Sequence, residues 1–146
     1  MVDANVVAQK LKEIHRRIER TRAVCPEDPE DLAADEDALE LVSFNLLLGV
    51  QACIDLATHL IADESWEPAA TAREALERLV ERGVISSETL KALRKAVGLR
   101  NVVAHGYSGV DPMQIHAGAK TGLTDLERFA TEVSAWVSGS RTGSQT

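Results

Sequence analysis

The sequence predicts an all-α protein, an up-and-down bundle of about five or six helices. Three observations carry that expectation. Apolar residues recur at intervals of three and four along most of the chain, the period of a helix with one buried side. Composition favours helix over strand: aromatic residues make only 3% of the 146 residues, and there are 4 prolines. Residues that cap helices punctuate the pattern at short intervals, so the connections between elements are short.

A first helix runs from about Val2 to Ala23, with Val7, Leu11, Ile14 and Ile18 as its apolar stripe and basic residues on its other faces. Cys25-Pro26 ends it, because the residue before a proline resists helical angles. Asp28-Pro29 or Asp35 caps the second helix. Leu39, Val42, Leu46, Val50, Cys53, Leu56 and Leu60 form one stripe along it, and Phe44, Leu47, Leu48, Ile54 and Ile61 form another. A helix apolar around so much of its circumference is covered on more than one side, as a central helix, a subunit seam or both.

Trp66-Glu67-Pro68 marks a break, and Thr71 with Glu74 is a capping box for a short helix stopped at Gly83. Ser86 or Ser87 caps the next, with Leu90, Leu93, Val97 and Ala104 expected on its inner face and Gly106 at its end. Asp111-Pro112 restarts helix. Gly118 and Gly122 weaken that segment, and Thr124 with Glu127 offers a further cap, which predicts an interruption at Lys120 to Gly122. Leu126, Phe129, Val133, Trp136 and Val137 mark a last helix. The Ser/Gly/Thr-rich end suits disorder, so the expected organisation is one helical domain over residues 1–137 and a disordered tail over 138–146.

A chain of this length suits one core, and 45% apolar residues are enough to fill it. Two cysteines do not make a disulfide framework, and Cys53, in an apolar run, is expected as a buried thiol. Asp3 and Asn5 interrupt the start as a signal peptide, and no unbroken apolar stretch reaches the roughly 20 residues of a membrane span. The expectation is a cytoplasmic protein with no membrane association.

A net charge of −7 argues at first against nucleic acid, but the charge is divided along the chain. Lys10, Lys12, Arg16, Arg17, Arg20 and Arg22 crowd the first helix, and Lys91, Arg94, Lys95 and Arg100 form a second basic group. Between Ala23 and Ala72 there is no Lys or Arg, while Glu27 to Glu40 is rich in acid. Taken singly, each segment also suits an ordinary solvated helix face.

The chemistry-bearing stretch runs from Gly98 to Asp111. On a helix, Asn101 and His105 are four apart and share a face, about 40° from each other. The long Arg100 side chain reaches the same opening, and the helix dipole would stabilise an imidazolium at His105. These residue types suit RNA cleavage by the 2′-hydroxyl: histidine exchanges protons at neutral pH, and a guanidinium holds two phosphate oxygens. One chain offers one histidine here, so a two-fold dimer would supply the second. An Arg, an Asn and a His near a helix end are also ordinary capping and surface groups, and the residues alone name no function.

Arg100-Asn101-Val102-Val103-Ala104-His105-Gly106-Tyr107 resembles the signature of the HepT-like toxins of the HEPN superfamily: Arg, four residues, His, one residue, Tyr. The flanks resemble the family too, at Gly83-Val84-Ile85-Ser86, Val97-Gly98-Leu99 and Val110-Asp111, as does Ile54 to Ile61. The resemblance covers most of residues 3 to 137.

It implies a helical homodimer and a metal-independent endoribonuclease with Arg100 and His105 catalytic and Asn101 positioning the phosphate or the histidine. No cofactor is implied. It also implies a partner, a minimal nucleotidyltransferase antitoxin of the MNT type that transfers AMP to Tyr107, placing bulk and negative charge beside the site. If RNA binds, Arg16, Arg17 and Arg20 and the group Lys91, Arg94 and Lys95 should border the cleft, with the acidic run pointing away. Asp55 and His59, four apart on one helix, are too few for a metal site and are read as an interfacial pair at the dimer seam. The competing functional reading is a non-catalytic substrate-binding subunit of a nucleotidyltransferase; a plain dimeric scaffold is a third.

Overall fold

The computed structural model describes residues 2–105 and 110–143. Among these the chain forms α1 (Ala4–Val24), α2 (Pro29–Ala34), α3 (Glu36–Asp63), α4 (Ala72–Glu81), α5 (Ser87–Ala104), α6 (Pro112–Ala117) and α7 (Leu123–Gly143), with no strand. The all-α expectation holds.

The helix starts follow local chemistry. The carboxylate of Asp3 accepts from the Asn5 and Val6 amides at the head of α1, and Asp35, Thr71, Ser86 and Asp111 cap α3, α4, α5 and α6 in the same way. Asp28 and Asp35 are not alternatives: Asp28-Pro29 opens the short α2, and Asp35 then opens α3. Gly83, with φ +73°, takes the left-handed turn that ends the α4 region, a conformation costly for residues with a Cβ.

α3 is the central helix, packed against α1, α2, α4, α5, α6 and α7. By length and composition it could cross a membrane, yet its apolar side chains are mostly buried in the bundle. Val42, Leu46, Val50, Cys53, Leu56 and Leu60 are all buried, as the principal stripe predicts. The second stripe divides. Ile54 and Ile61 are buried, whereas Phe44 is 55% exposed and Leu41 is 44% exposed. Helical spacing puts Leu41, Phe44, Leu48, Gln51 and Asp55 along one face of α3, exposed at Leu41 and Phe44 and partly buried at the other three.

α1 lies against α3 at close range. Gly49 makes room: a Cβ there would stand 3.3 Å from Leu126 Cδ1 and 3.4 Å from Arg17 Cβ. Beside it, Arg17 Nε donates to Glu13 Oε1 (2.7 Å) and Nη1 donates to the buried Asn45 Oδ1 (3.1 Å), satisfying a polar group inside the seam. The head of α5 is moored to α7. Glu132 accepts from the Ser86 amide and from the Ser86 and Thr89 hydroxyls, while Ser86 Oγ accepts from the Thr89 amide.

Several expectations need correction. The predicted interruption at Lys120 to Gly122 is absent: α6 passes into α7 through a π-helical segment, Gly118–Gly122, without leaving helical geometry. A Cβ on Gly118 would stand 3.0 Å from Leu99 Cδ2 and 3.4 Å from Leu46 Cδ1, so this glycine permits close passage over α5 and α3. Glu127, read as part of a cap, pairs with Arg22 of α1 instead. Ala104, expected on the inner face of α5, is exposed, because the end of α5 reaches beyond the core. Helical geometry also continues past Ser138 to Gly143.

Burial sorts the two thiols. Cys53 is 1% exposed and burial pushes its pKa up, whereas Cys25 is only partly buried. Iodoacetamide at pH 8 should therefore label Cys25 in the folded protein and reach Cys53 only after denaturation, read by peptide mass. Equal labelling of both in the native state would contradict this packing of α3.

Candidate active site

The end of α5 lies over α3. Arg100, partly buried, donates through Nη1 to Gln51 Oε1 of α3 at 2.9 Å. Its Nη2 and Nε both donate to Asn101 Oδ1, at 2.7 Å and 3.2 Å. Gln51 in turn donates through Nε2 to Asp55 Oδ1 at 2.9 Å. Asn101, Arg100, Gln51 and Asp55 thus form one continuous chain of hydrogen bonds across two helices. A guanidinium has five N–H donors, and three are used among the described residues, leaving one on each terminal nitrogen. That pair suits two oxygens of a phosphate.

His105 is the C-cap of α5, its amide donating to Asn101 O at 3.1 Å, and it is exposed. One helix end therefore presents a held guanidinium and an accessible imidazole. Tyr107 and Gly106 lie outside the described residues. The Asn101 side chain contacts Arg100, a partner not anticipated from its face-sharing with His105.

Beside Arg100 a groove of about 570 Å³ opens between α3, α5, the π-helical segment and the start of α7. Leu46, Leu47, Val50, Leu99 and Val103 form much of its wall, with Lys95, Arg100 and Asp125 among its charged residues. Of the other basic residues singled out from sequence, Lys91 is exposed, and Arg94 is exposed and paired with Glu77 at 3.0 Å. Arg16 and Arg20 are exposed on α1, whose main neighbours are α3 and α7, whereas Arg17 is engaged with Glu13 and Asn45. The acid-rich stretch forms α2 and the first turn of α3, and α2 docks on α6.

Asp55 and His59 do not pair with each other. Each takes the partner one turn away in the opposite direction: Asp55 meets Gln51, and His59 Nε2 stands 2.9 Å from Asp63 Oδ2. The latter approach is off the line of a good hydrogen bond, so it is a close contact more than a directed bond. Among the described residues no three His, Cys, Asp or Glu side chains gather as a metal ligand set.

A model of the family described as ribonuclease HepT-like matches residues 14–133, which takes in α3, α5 and this whole arrangement. The chain belongs to the HepT-like ribonuclease family. An mRNA nuclease HepT from Shewanella oneidensis is 26% identical to this HepT-like chain over 131 residues, 90% of this chain and 98% of the relative. A tRNA nuclease HepT from Aphanizomenon flos-aquae is 25% identical over 99 residues, 67% of each protein. The solved structure of a tri-AMPylated Shewanella oneidensis HEPN toxin in complex with an MNT antitoxin is similar with a TM-score of 0.84 at 26% identity, covering 91% of this chain and 99% of that one.

The missed participant is Gln51. It lies 49 positions from Arg100, and no local spacing links them. Its signal was its place: with Asp55 one turn on, it is polar on a face of α3 that is otherwise apolar.

The two arginines have different duties in this HepT-like fold. Arg17→Ala should lower the unfolding free energy by about 1–3 kcal/mol, since buried Asn45 loses a charged partner. Arg100→Ala, at a half-open helix end, should cost less than about 1 kcal/mol. Urea titrations in which Arg100→Ala proves the more damaging would contradict this division.

Proposed function

We propose that this protein is an endoribonuclease that cleaves RNA by attack of the 2′-hydroxyl, in a site assembled from two copies of the chain. The observation that carries the reading is the Arg100 guanidinium, held from two sides and, among the described residues, with one N–H free on each terminal nitrogen, at the helix end that exposes His105. In the reaction a base removes the 2′-hydroxyl proton, O2′ bonds to phosphorus, and the bond from phosphorus to O5′ breaks. An acid then protonates the departing oxygen. His105 and its copy in the second subunit supply base and acid. Arg100 stabilises the charge that develops on the phosphorane oxygens. Because protons and the guanidinium supply these roles, cleavage needs no metal.

The face of α3 that exposes Leu41 and Phe44 supports the dimer. Leu41 and Phe44 on α3 and Val102 near the end of α5 are large exposed apolar residues, the kind that subunit seams cover. Asp55 and His59, on or beside this face, belong to the same seam. Lys95 in the groove and Lys91 and Arg94 further along α5 flank the RNA, with Arg16 and Arg20 of α1 adding longer-range attraction. Arg17 contributes through packing.

In this reading the enzyme is the toxin of a cytoplasmic toxin–antitoxin pair. Its antitoxin is an MNT-type nucleotidyltransferase that silences it by transferring AMP to Tyr107, two residues past His105. The added phosphate would compete with RNA for Arg100.

Two measurements test these proposals. Wild-type protein with RNA in chelator should give cleavage, and His105→Ala should cut the rate by about 10²–10⁴-fold. Equal rates for the two, zero included, would sink the mechanism. Co-expression with the nucleotidyltransferase should add one or more AMP masses, and Tyr107→Phe should abolish the shift; a persisting shift would assign the modification elsewhere.

A further inference from the structure

We propose that Gln51 and Asp55 are positioning residues for Arg100, a buttress that aims the guanidinium at the scissile phosphate without neutralising it; this rests on the endoribonuclease reading of the same site. Asp55 Oδ1 accepts from Gln51 Nε2 at 2.9 Å, and Gln51 Oε1 accepts from Arg100 Nη1 at 2.9 Å. The two residues are one helical turn apart on α3, so one rigid helix sets both.

The order of the chain has a chemical logic. An ionised carboxylate only accepts hydrogen bonds and a guanidinium only donates them. An amide placed between them satisfies both in one orientation alone, with its NH₂ toward Asp55 and its carbonyl toward Arg100. Asp55 therefore locks the Gln51 amide, and the locked carbonyl fixes Nη1. On the other side Asn101 Oδ1 bridges Nε and Nη2. The guanidinium plane is thereby held from two helices, α3 and α5.

A carboxylate in direct contact would do this differently. It would form a two-pronged pair with Arg100 and occupy the N–H groups that the phosphate needs. With the amide interposed, the charge of Asp55 acts across two hydrogen bonds, and the guanidinium keeps one N–H on each terminal nitrogen. Gln51, Asp55 and Arg100 are all partly buried, where such bonds are stronger than in open water.

The test uses the full chain, with kcat and KM on a short RNA read beside the melting temperature and the mass by light scattering. Gln51→Leu should lower kcat by about 10–100-fold with KM changed less than about 3-fold, because only transition-state contacts suffer. Asp55→Leu should cost less, about 3–10-fold, since the amide is still present but unlocked. The double variant Gln51→Glu with Asp55→Asn keeps a hydrogen-bonded chain but puts the carboxylate directly on Arg100. It should stay at least about 10-fold below wild type in kcat, because the carboxylate occupies the N–H groups that the phosphate needs; a wild-type kcat in this variant overturns the role given to the interposed amide. Melting temperature and mass should stay constant throughout.

With the wild type active, an unchanged kcat in Gln51→Leu overturns the proposal. So does a loss of kcat that tracks a lower melting temperature or a lost dimer. If the wild type cuts no RNA, the endoribonuclease reading fails separately. The positioning is then decided by the ¹⁵N–¹H signal of Arg100 Nε, identified by its disappearance in Arg100→Lys. Broadening of that signal in Gln51→Leu supports the buttress, and an unaltered signal overturns it.

Discussion

A guanidinium on a flexible stem can point almost anywhere, and a site built on one depends on what limits it. Here the limit is the pair of contacts from Arg100 to Asn101 on its own helix and to Gln51 on α3. Holding α5 where those bonds form falls to the rest of the bundle. Glu132 of α7 moors the head of α5, and Gly118 lets the π-helical segment pass close above Leu99, one residue before Arg100. Arg17 and Asn45 join α1 to a neighbouring side of α3. The face of α3 toward Arg100 carries Gln51 and Asp55 at its polar middle and Leu41 and Phe44 at its apolar end.

Much of this was legible in the chain, and the reason is local. Caps need only the few residues that follow them, so Thr71 and Asp111 could be read directly, while Asp35 and Ser86 each shared the reading with one neighbouring candidate, Asp28 and Ser87. The buried stripe of α3 from Val42 to Leu60 follows from period alone. Reading failed where the outcome depended on another element. Phe44 is apolar but faces outward, because among the described residues no element of the bundle packs over it. Gly118 and Gly122 resemble helix breakers in isolation, yet packing against α3 and α5 keeps the segment helical.

The site shows the same divide. Arg100, Asn101 and His105 stood out because one short stretch contains them. The bond from Arg100 to Gln51 joins two distant segments and could emerge only from the fold. Asp55 and His59 illustrate the weakness of spacing: an i,i+4 pair was visible, but each residue found its partner in the other direction along the same helix. Membership of the HepT-like ribonuclease family rests on the match over residues 14–133, not on any one of these contacts. The acid-rich stretch forms α2 and the start of α3, while the groove beside Arg100 carries Lys95 and Asp125.

The central claim is that one chain holds half of the catalytic machinery and that two must meet to act. Specific activity measured against total chain concentration, beside molecular mass at each dilution, tests it most directly. The account predicts that activity per chain falls in step with the fraction of dimer. Undiminished activity per chain in a solution of monomers would contradict it.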